Sequence, residues 1–255
     1  MKLIFLILSV AAFFNVGIVS IAQAQGYSLW PKRPPEIEQA RSFVRAGKGE
    51  EAVAVLHPFV TQSGVVGREA RKITAAVQVP IYLSRRNPHA TIYIVKSGDT
   101  LGRISSATNC PSELILLLNG IVNPSALRAG QKLVVFQMNL RAEVNLHTNE
   151  VTVWDDATLV ACYDIEEHSI PSAKENVAVS VEAREGILDG SSLAKNSTEF
   201  LASQRVLKLS DGISILSAPK AQASSVCLSA QDVNELALLL SIGSRVDIIH
   251  TDSPQ

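Results

Sequence analysis

Hydrophobic and polar residues follow two different periods along the chain. Upstream of Met138 the apolar residues recur mainly at helical spacing, with Ile37, Ala40 and Val44 on one face of a helix that begins at Glu36. Downstream of Met138 apolar and polar residues alternate, which is the period of β-strands with one buried face. The pattern predicts an α+β fold whose helices lie mostly in the first half.

The N-terminal region, residues 25–88, is predicted to be helical. After the helix at Glu36, a second helix carries apolar residues at helical spacing, namely Ala52, Val55, Leu56 and Phe59. A third runs from Arg68 to Val77 and stops near Pro80. The first two helices resemble one tetratricopeptide-type hairpin. One such unit cannot bury its own apolar face, so we expect this region to pack on the rest of the chain.

Residues 139–250 are predicted to form a predominantly β domain with one helix. Its alternating strands are centred on residues 142–146, 151–153, 158–163, 177–181, 206–209, 213–216 and 246–249. Ser229 is the expected N-cap of the helix, Val233, Leu236 and Leu240 its inner face, and Gly243 its end.

Between these parts, residues 91–137 predict a small strand–helix–helix–strand unit. A β-branched and aromatic run stops at Ser97-Gly98, and Asp99 stands at the expected N-cap of the first helix. Pro111 suits the start of a second, almost entirely apolar helix, which ends at Asn119-Gly120. Residues 133–136 close the unit as a second strand.

This unit resembles the LysM (lysin motif) family along its whole length. The matching positions combine turn, cap, core and closing-strand residues: Tyr93, Val95, Gly98, Asp99, Thr100, Leu101, Ile104, Leu117, Asn119, Leu127, Gly130, Gln131 and Leu133. The resemblance implies a βααβ fold that binds N-acetylglucosamine-containing glycans, above all the glycan strands of peptidoglycan. It also implies a shallow groove between two loops, whose residues here are Gly98, Asp99, Thr100 and Leu101 in the first and Ile121, Val122, Asn123, Pro124 and Ser125 in the second.

The N-terminus predicts export. Lys2 precedes an apolar run, and Ala22-Gln23-Ala24 is a small-x-small cleavage site, so residues 1–24 are interpreted as a signal peptide. The alternative is an uncleaved membrane anchor, because the apolar run is nearly long enough to span a bilayer. Either interpretation predicts a periplasmic or cell-envelope protein, in contact with the membrane only if the signal is uncleaved.

Composition excludes several other functions. A net charge of −1 with 47% hydrophobic residues argues against a nucleic-acid-binding protein. The five histidines show no metal-ligand spacing, and the sequence has no phosphate-binding glycine loop, so no metal or other cofactor is expected. The three cysteines leave at least one unpaired. Cys162 and Cys227 are a candidate disulfide, and Cys110 is either a helix-stabilised thiolate or a small buried residue.

The C-terminal segment more distantly resembles the catalytic domain of L,D-transpeptidases (YkuD-like). The matching stretches are Leu228 to Leu236 and Ile242 to Ile248. The family's Ser-His-Gly-Cys-x-Arg signature falls on residues 222–227, which places Ser225 at the nucleophile position and Cys227 at the arginine position. No histidine lies between His168 and His250, and a serine without a base is a poor nucleophile.

Three hypotheses for the function follow. The first is a non-catalytic peptidoglycan-binding protein whose C-terminal domain is an inactive shell. The second is a peptidoglycan-modifying enzyme of the L,D-transpeptidase type, in which Cys227 is a relocated nucleophile served by His168 or His250. The third is an adaptor whose N-terminal helices bind another envelope protein.

Overall fold

The computed structural model describes residues 33–171, 176–188, 191–193, 203–218 and 220–250. The predicted signal peptide at residues 1–24 lies outside these ranges. Within them, every helix is too short or too polar to cross a lipid bilayer.

Residues 33–88, the described part of the N-terminal region, contain three α-helices: α1 (Pro35–Arg45), α2 (Gly49–Leu56) and α3 (Gly64–Tyr82). A 3₁₀ turn (His57–Phe59) lies between the last two. Helix α3 is longer than the predicted segment from Arg68 to Val77, because it begins at Gly64, continues through Pro80 and ends just beyond it at Tyr82. Pro80 lies in the last turn, where its missing N–H removes only one hydrogen bond from a helix that is about to end.

The apolar face of the helical hairpin is covered by the C-terminal part of the chain. Buried residues of α1 and α2, among them Ile37 and Leu56, form one cluster with Trp154 and Leu159. Helix α3 packs beside the strand that carries Leu159. The expectation that this region packs on the rest of the chain is therefore confirmed.

The predicted βααβ unit consists of β1 (Ala90–Ile94), α4 (Leu101–Thr108), α5 (Ser112–Asn119), a 3₁₀ turn (Pro124–Ala126) and β2 (Lys132–Phe136). The two strands pair antiparallel, with Ala90 opposite Phe136 and Ile94 opposite Lys132. The side chains of Ile104, Leu114 and Leu133 are fully buried between the helices and the strands.

The C-terminal part contains ten strands and one helix in the described ranges. These are β3 (Arg141–Asn145), β4 (Glu150–Asp155), β5 (Thr158–Asp164), β6 (Glu167–His168), β7 (Val177–Leu188), β8 (Ser191–Leu193), β9 (Gln204–Leu209), β10 (Ser214–Leu216), β11 (Ser225–Cys227), α6 (Ala230–Leu239) and β12 (Arg245–Ile249). The ten strands form one sheet in the order β5-β4-β3-β12-β7-β9-β10-β11-β6, with β8 paired to β7. The α+β fold class is confirmed.

Strand β7 joins the two halves of this sheet. Its first residues pair with β12, and after an irregularity between Val181 and Ala183 its later residues pair with β9. Helix α6 packs against β9 and is capped as predicted by the Ser229 hydroxyl, which accepts a hydrogen bond from the Asp232 N–H (3.1 Å). The helix ends at Leu239, so Gly243 does not end it and instead adopts a left-handed turn (φ 90°).

The βααβ unit and the large sheet share one hydrophobic core. Val135 and Phe136 of β2 belong to the same buried cluster as Ala142 and Val144 of β3. Two buried clusters therefore join the parts of the chain: this one joins the βααβ unit to the sheet, and the cluster around Trp154 and Leu159 joins the helical hairpin to the sheet.

Candidate functional site

The loop after β1 is held by its own side chains. Gly98 adopts a left-handed conformation (φ 83°). The Asp99 carboxylate accepts hydrogen bonds at Oδ2 from the Lys96 N–H (2.7 Å) and the Tyr93 hydroxyl (2.9 Å), and these two bonds lower its pKa. The prediction that Asp99 caps the helix is wrong. Thr100 is the N-cap, because its Oγ1 accepts from the Arg103 N–H (3.3 Å).

The loop before β2 is equally well defined. Gly120 ends α5 in a left-handed conformation (φ 62°), and the Ile121 N–H donates to the Leu116 carbonyl (3.0 Å). Asn123 caps the following 3₁₀ turn, since its Oδ1 accepts from the Ser125 N–H (2.9 Å). Val122 is 79% exposed at the tip of this loop.

Asn119 ties the second loop to the sheet, a role that sequence analysis missed. Its side-chain amide donates to the carbonyls of Ile115 (2.8 Å) and Val134 (2.8 Å) and accepts from the Val134 N–H (2.8 Å). The sequence placed Asn119 at the end of the helix and among the positions that match LysM, without assigning it a contact. Its hydrogen bonds to Val134 join the end of α5 to β2 and depend on the fold, so no local signal revealed them.

The two loops lie at the same end of the β1–β2 sheet, because the strands are antiparallel and Ile94, the last residue of β1, pairs with Lys132, the first residue of β2. Two further hydrogen bonds extend the strand ladder beyond this pair. The Gly130 N–H donates to the Val95 carbonyl (2.8 Å), and the Val95 N–H donates to the Gln131 carbonyl (2.9 Å). Of the nine residues predicted to bind glycan, five are exposed: Gly98, Thr100, Val122, Asn123 and Ser125. Asp99, Ile121 and Pro124 are half-buried, and Leu101 is buried in the core.

The exposed groups of these loops suit a neutral, polar ligand. The Thr100 and Ser125 hydroxyls can donate and accept hydrogen bonds, and the Asn123 amide adds further donors. The nearby charges are largely engaged within the protein, with Asp99 bonded as above and Arg103 donating to the Gly98 carbonyl (3.0 Å). Across the described residues, no group of three or more His, Cys, Asp or Glu side chains could hold a metal ion.

The residues suggested by the transpeptidase signature lie on β11. The Ser225 hydroxyl donates to the Gln222 carbonyl (2.7 Å). Cys227 is fully buried, and burial raises the pKa of its thiol. A thiol with a raised pKa remains protonated at neutral pH, whereas a nucleophilic cysteine needs the thiolate.

The strand register separates Cys227 from the candidate histidine bases. His168 on β6 lies opposite Val226, so its side chain is on the face of the sheet that Val226 shares and Cys227 does not. His250 follows β12, and strands β7, β9 and β10 lie between β12 and β11. In this arrangement of the described strands, neither His168 nor His250 is therefore placed beside the Cys227 thiol to act as its base.

The cysteines are free and buried in this structure. Cys110, Cys162 and Cys227 form no disulfide. Cys162 on β5 and Cys227 on β11 are near opposite ends of the strand order, so the candidate pairing is not formed. Cys110 is fully buried, and burial raises the pKa of its thiol to about 11, which favours the packed thiol over the helix-stabilised thiolate.

Comparison with solved structures finds L,D-transpeptidases. L,D-transpeptidase 1 of Mycobacterium tuberculosis is 10% identical over 48% of this chain and 67% of its own, with a TM-score of 0.33. The enzyme of Mycobacterium smegmatis is 13% identical over 47% of this chain and 63% of its own (TM-score 0.32), and that of Stackebrandtia nassauensis is 9% identical over 87% and 94% (TM-score 0.33). Similarities at this level carry no argument about the activity of this chain.

Comparison by sequence identifies the middle unit. No curated protein matches the chain. The family model described as LysM domain matches residues 93–136, the segment that contains both loops. The chain therefore contains a LysM domain, formed by β1, α4, α5 and β2.

Proposed function

We propose that this protein binds N-acetylglucosamine-containing glycan strands of peptidoglycan in the bacterial cell envelope and catalyses no reaction on them. The observation that supports this proposal is the match of residues 93–136 to the LysM domain, together with two preorganised loops at one end of its sheet. Preorganised loops raise affinity because less conformational entropy is lost when the ligand binds.

The proposed binding groove runs between the two loops. Thr100, Asn123 and Ser125 offer hydroxyl and amide groups to the sugar hydroxyls and acetamido groups, and exposed Val122 offers an apolar surface to a sugar ring. Backbone groups of Gly98 and of the second loop complete the polar lining. Leu101 contributes by holding the first loop on the core.

The rest of the chain takes supporting roles in this proposal. Residues 1–24 direct export, and residues 139–250 serve as a scaffold or partner-binding surface. Residues 25–88 are the segment through which a second envelope protein would bind. A single LysM domain binds weakly, so a further contact with the cell wall would raise the avidity of the whole protein.

The test is co-sedimentation of the purified protein with peptidoglycan sacculi. We expect the wild-type protein to pellet and the double variant Thr100→Ala with Asn123→Ala to lose most of its binding. Each substitution also removes a cap, which costs about 1 kcal/mol of stability. The single variants Thr100→Ala and Asn123→Ala are therefore measured as well, and each has Ser229→Ala as its control, which likewise removes one cap, that of α6, and leaves the loops unchanged.

Circular dichroism must show that these variants are folded at the assay temperature. Equal pelleting of wild type and double variant would contradict the groove assignment. Failure of the wild-type protein to pellet would contradict the function itself.

A further inference from the structure

Strand β1 forms an exposed edge of the LysM sheet. Every residue of this strand except half-buried Tyr93 is exposed, and the side chains of Ile92 and Ile94 are 57% and 56% exposed. The strand contains no charged residue and no proline, which are the residues that proteins commonly place on a free edge to prevent pairing. An uncharged, apolar edge of this kind favours the addition of another strand.

The free backbone groups of this edge belong to Ile92 and Ile94. The Val95 N–H donates to the Gln131 carbonyl, and the Val95 carbonyl accepts from the Gly130 N–H, so the backbone of Val95 faces the side of β2. Because successive residues of a strand bond to opposite sides, the N–H and C=O groups of Ile92 and Ile94 point away from β2. Among the described residues, these four groups have no hydrogen-bond partner.

The opposite edge of this two-stranded sheet is closed. The Asn119 side-chain amide donates to the Val134 carbonyl and accepts from the Val134 N–H, as a neighbouring strand would (2.8 Å each). Val134 lies opposite Ile92, so this contact independently indicates that the backbone groups of the two residues point outward. Of the two edges of the LysM sheet, the β1 edge is therefore the one open to another strand.

The free groups of β1 are arranged symmetrically about Tyr93. When two β1 strands run antiparallel with Tyr93 opposite Tyr93, Ile92 of each copy lies opposite Ile94 of the other. Each of these two pairs exchanges two N–H···O=C hydrogen bonds, which provides a partner for all four free groups of both strands. The four isoleucine side chains then lie side by side on one face, and such cross-strand contacts stabilise a sheet. A second copy therefore matches this edge in both hydrogen bonding and side chains.

Charge and size indicate a weak but permitted association. Lys132, beside Ile94 on the same face, lies on the strand behind β1, and strand spacings put it about 16 Å from the Lys132 of a second copy. That separation exceeds the Debye length of about 8 Å at physiological ionic strength, so these charges repel little. Because the shared edge is only five residues long, it is smaller than the interfaces of stable dimers.

We propose that two copies of this chain associate through β1, antiparallel and with Tyr93 opposite Tyr93, to form a four-stranded sheet in the order β2-β1-β1-β2. Such a two-fold, self-complementary contact is the commonest kind in homodimers. The pairing edge shares no residue with the loops of the proposed glycan groove and does not depend on glycan binding. A dimer would hold two LysM domains together, and their joint binding to one cell-wall surface would raise avidity.

Sedimentation equilibrium of the purified protein, without any glycan, tests this pairing. The weight-average mass should rise toward twice that of one chain as the protein concentration approaches the millimolar range. The double variant Ile92→Lys with Ile94→Lys places like charges opposite each other and should raise the dissociation constant of the dimer by about ten-fold or more. The matched control is Val65→Lys with Ile242→Lys, which adds the same charge at two other exposed aliphatic positions and should dimerise normally.

Circular dichroism verifies that both double variants keep the wild-type fold. A wild-type protein that remains monomeric at millimolar concentration would overturn the proposal. Equal dissociation constants for the wild type and for the folded Ile92→Lys, Ile94→Lys variant would overturn it as well, because the contact would then lie elsewhere.

Disulfide cross-linking tests the register. The Cα atoms of a hydrogen-bonded antiparallel pair lie about 5.5 Å apart, a distance that a disulfide can bridge. A mixture of the single variants Ile92→Cys and Ile94→Cys should therefore form cross-linked dimers on mild oxidation several-fold faster than either variant alone. The native cysteines are buried, so they should contribute little. Equal rates in the mixture and in the separate variants would refute the register.

The glycan-groove double variant separates this proposal from the proposed function. Thr100→Ala with Asn123→Ala should lose sacculus binding and should dimerise like the wild type. Loss of dimerisation in this variant, while it remains folded, would contradict the placement of the dimer contact on β1.

Discussion

The three cysteines illustrate how burial controls a side chain's chemistry. Burial raises the pKa of the Cys110 thiol to about 11 and that of Cys162 to about 12, and it also raises that of Cys227. At Cys162 the neighbouring Glu150 carboxylate adds to the effect of burial. A protonated, buried thiol reacts slowly, so we expect these residues to contribute packing and not nucleophilic chemistry.

The raised thiol pKa values predict alkaline destabilisation. The unfolded chain ionises its cysteines near pH 9, whereas the folded protein keeps Cys110 and Cys162 neutral, so their contribution is fully present below pH 9 and is lost as pH rises toward 11 and 12. The free energy of unfolding, measured by denaturant titration, should be lower at about pH 10.5 than at pH 7.5 by roughly 2 kcal/mol for each of these two thiols.

Cys110→Ala is the variant that isolates one of them. It should be less stable than wild type at pH 7.5, because its methyl group fills less of the core. The decrease in its free energy of unfolding between the two pH values should be smaller than that of the wild type by the contribution of one thiol. An identical pH dependence in the variant and the wild type would refute this assignment.

At the scale of elements, a buried ion pair joins α3 to β4. Arg71 donates to Glu150 (2.5 Å) and to the carbonyls of Val60 (3.1 Å) and Gln62 (2.9 Å). The Gln62 carbonyl approaches α3 so closely that a Cβ atom on Gly67 would lie 1.8 Å from its oxygen. Only glycine fits at position 67, and the close approach brings the Gln62 carbonyl within reach of Arg71.

Removal of the Arg71 guanidinium should therefore weaken the attachment of the helical region. Arg71→Ala leaves the Glu150 carboxylate, which is 2% exposed, without its buried partner. The expected loss in the free energy of unfolding is about 3–5 kcal/mol. The control is Arg245→Ala on β12, where an exposed side chain pairs with Asp247 and the expected loss is about 0–1 kcal/mol. Chemical denaturation followed by circular dichroism measures the free energy of unfolding of both variants. Equal losses would contradict the larger contribution assigned to the buried ion pair.

At the scale of the whole molecule, the three parts of the chain are joined by hydrogen bonds as well as by two buried apolar clusters. Tyr82 at the end of α3 donates to Asp155 (2.6 Å), and His89 lies 2.6 Å from the same carboxylate. The Arg85 guanidinium donates to the Leu118 carbonyl (3.0 Å), and the Ser241 hydroxyl donates to the Asn109 carbonyl (2.7 Å). Such contacts couple the helical region, the LysM domain and the sheet.

This coupling predicts one cooperative unfolding transition. Trp154 reports on the interface between the helices and the sheet, since it packs against α1 and α2. In a Trp30→Phe background, the fluorescence of Trp154 and the far-UV circular dichroism should follow the same denaturant curve. Separate midpoints for the two signals would show that the helical region unfolds on its own.

The sequence alone determined the LysM domain and the α+β class, because these depend on local patterns. Turn glycines, cap residues and the period of apolar side chains are read within a few positions of each other, and the structure retains most of them. Even here the observed N-cap of α4 lies one residue after the predicted one. The Asp99 carboxylate accepts hydrogen bonds from Tyr93 and Lys96, and Thr100 caps the helix instead.

Tertiary structure decided which distant residues meet. Three features join segments that are separated along the chain. They are the packing of Trp154 and Leu159 on the helical hairpin, the hydrogen bonds of Asn119 to β2 and the pairing of Arg184 with Glu113. The separation of His168 from Cys227 likewise follows from strand register, which local periodicity leaves open. Burial, and with it the pKa of each thiol, is fixed only when the whole chain packs.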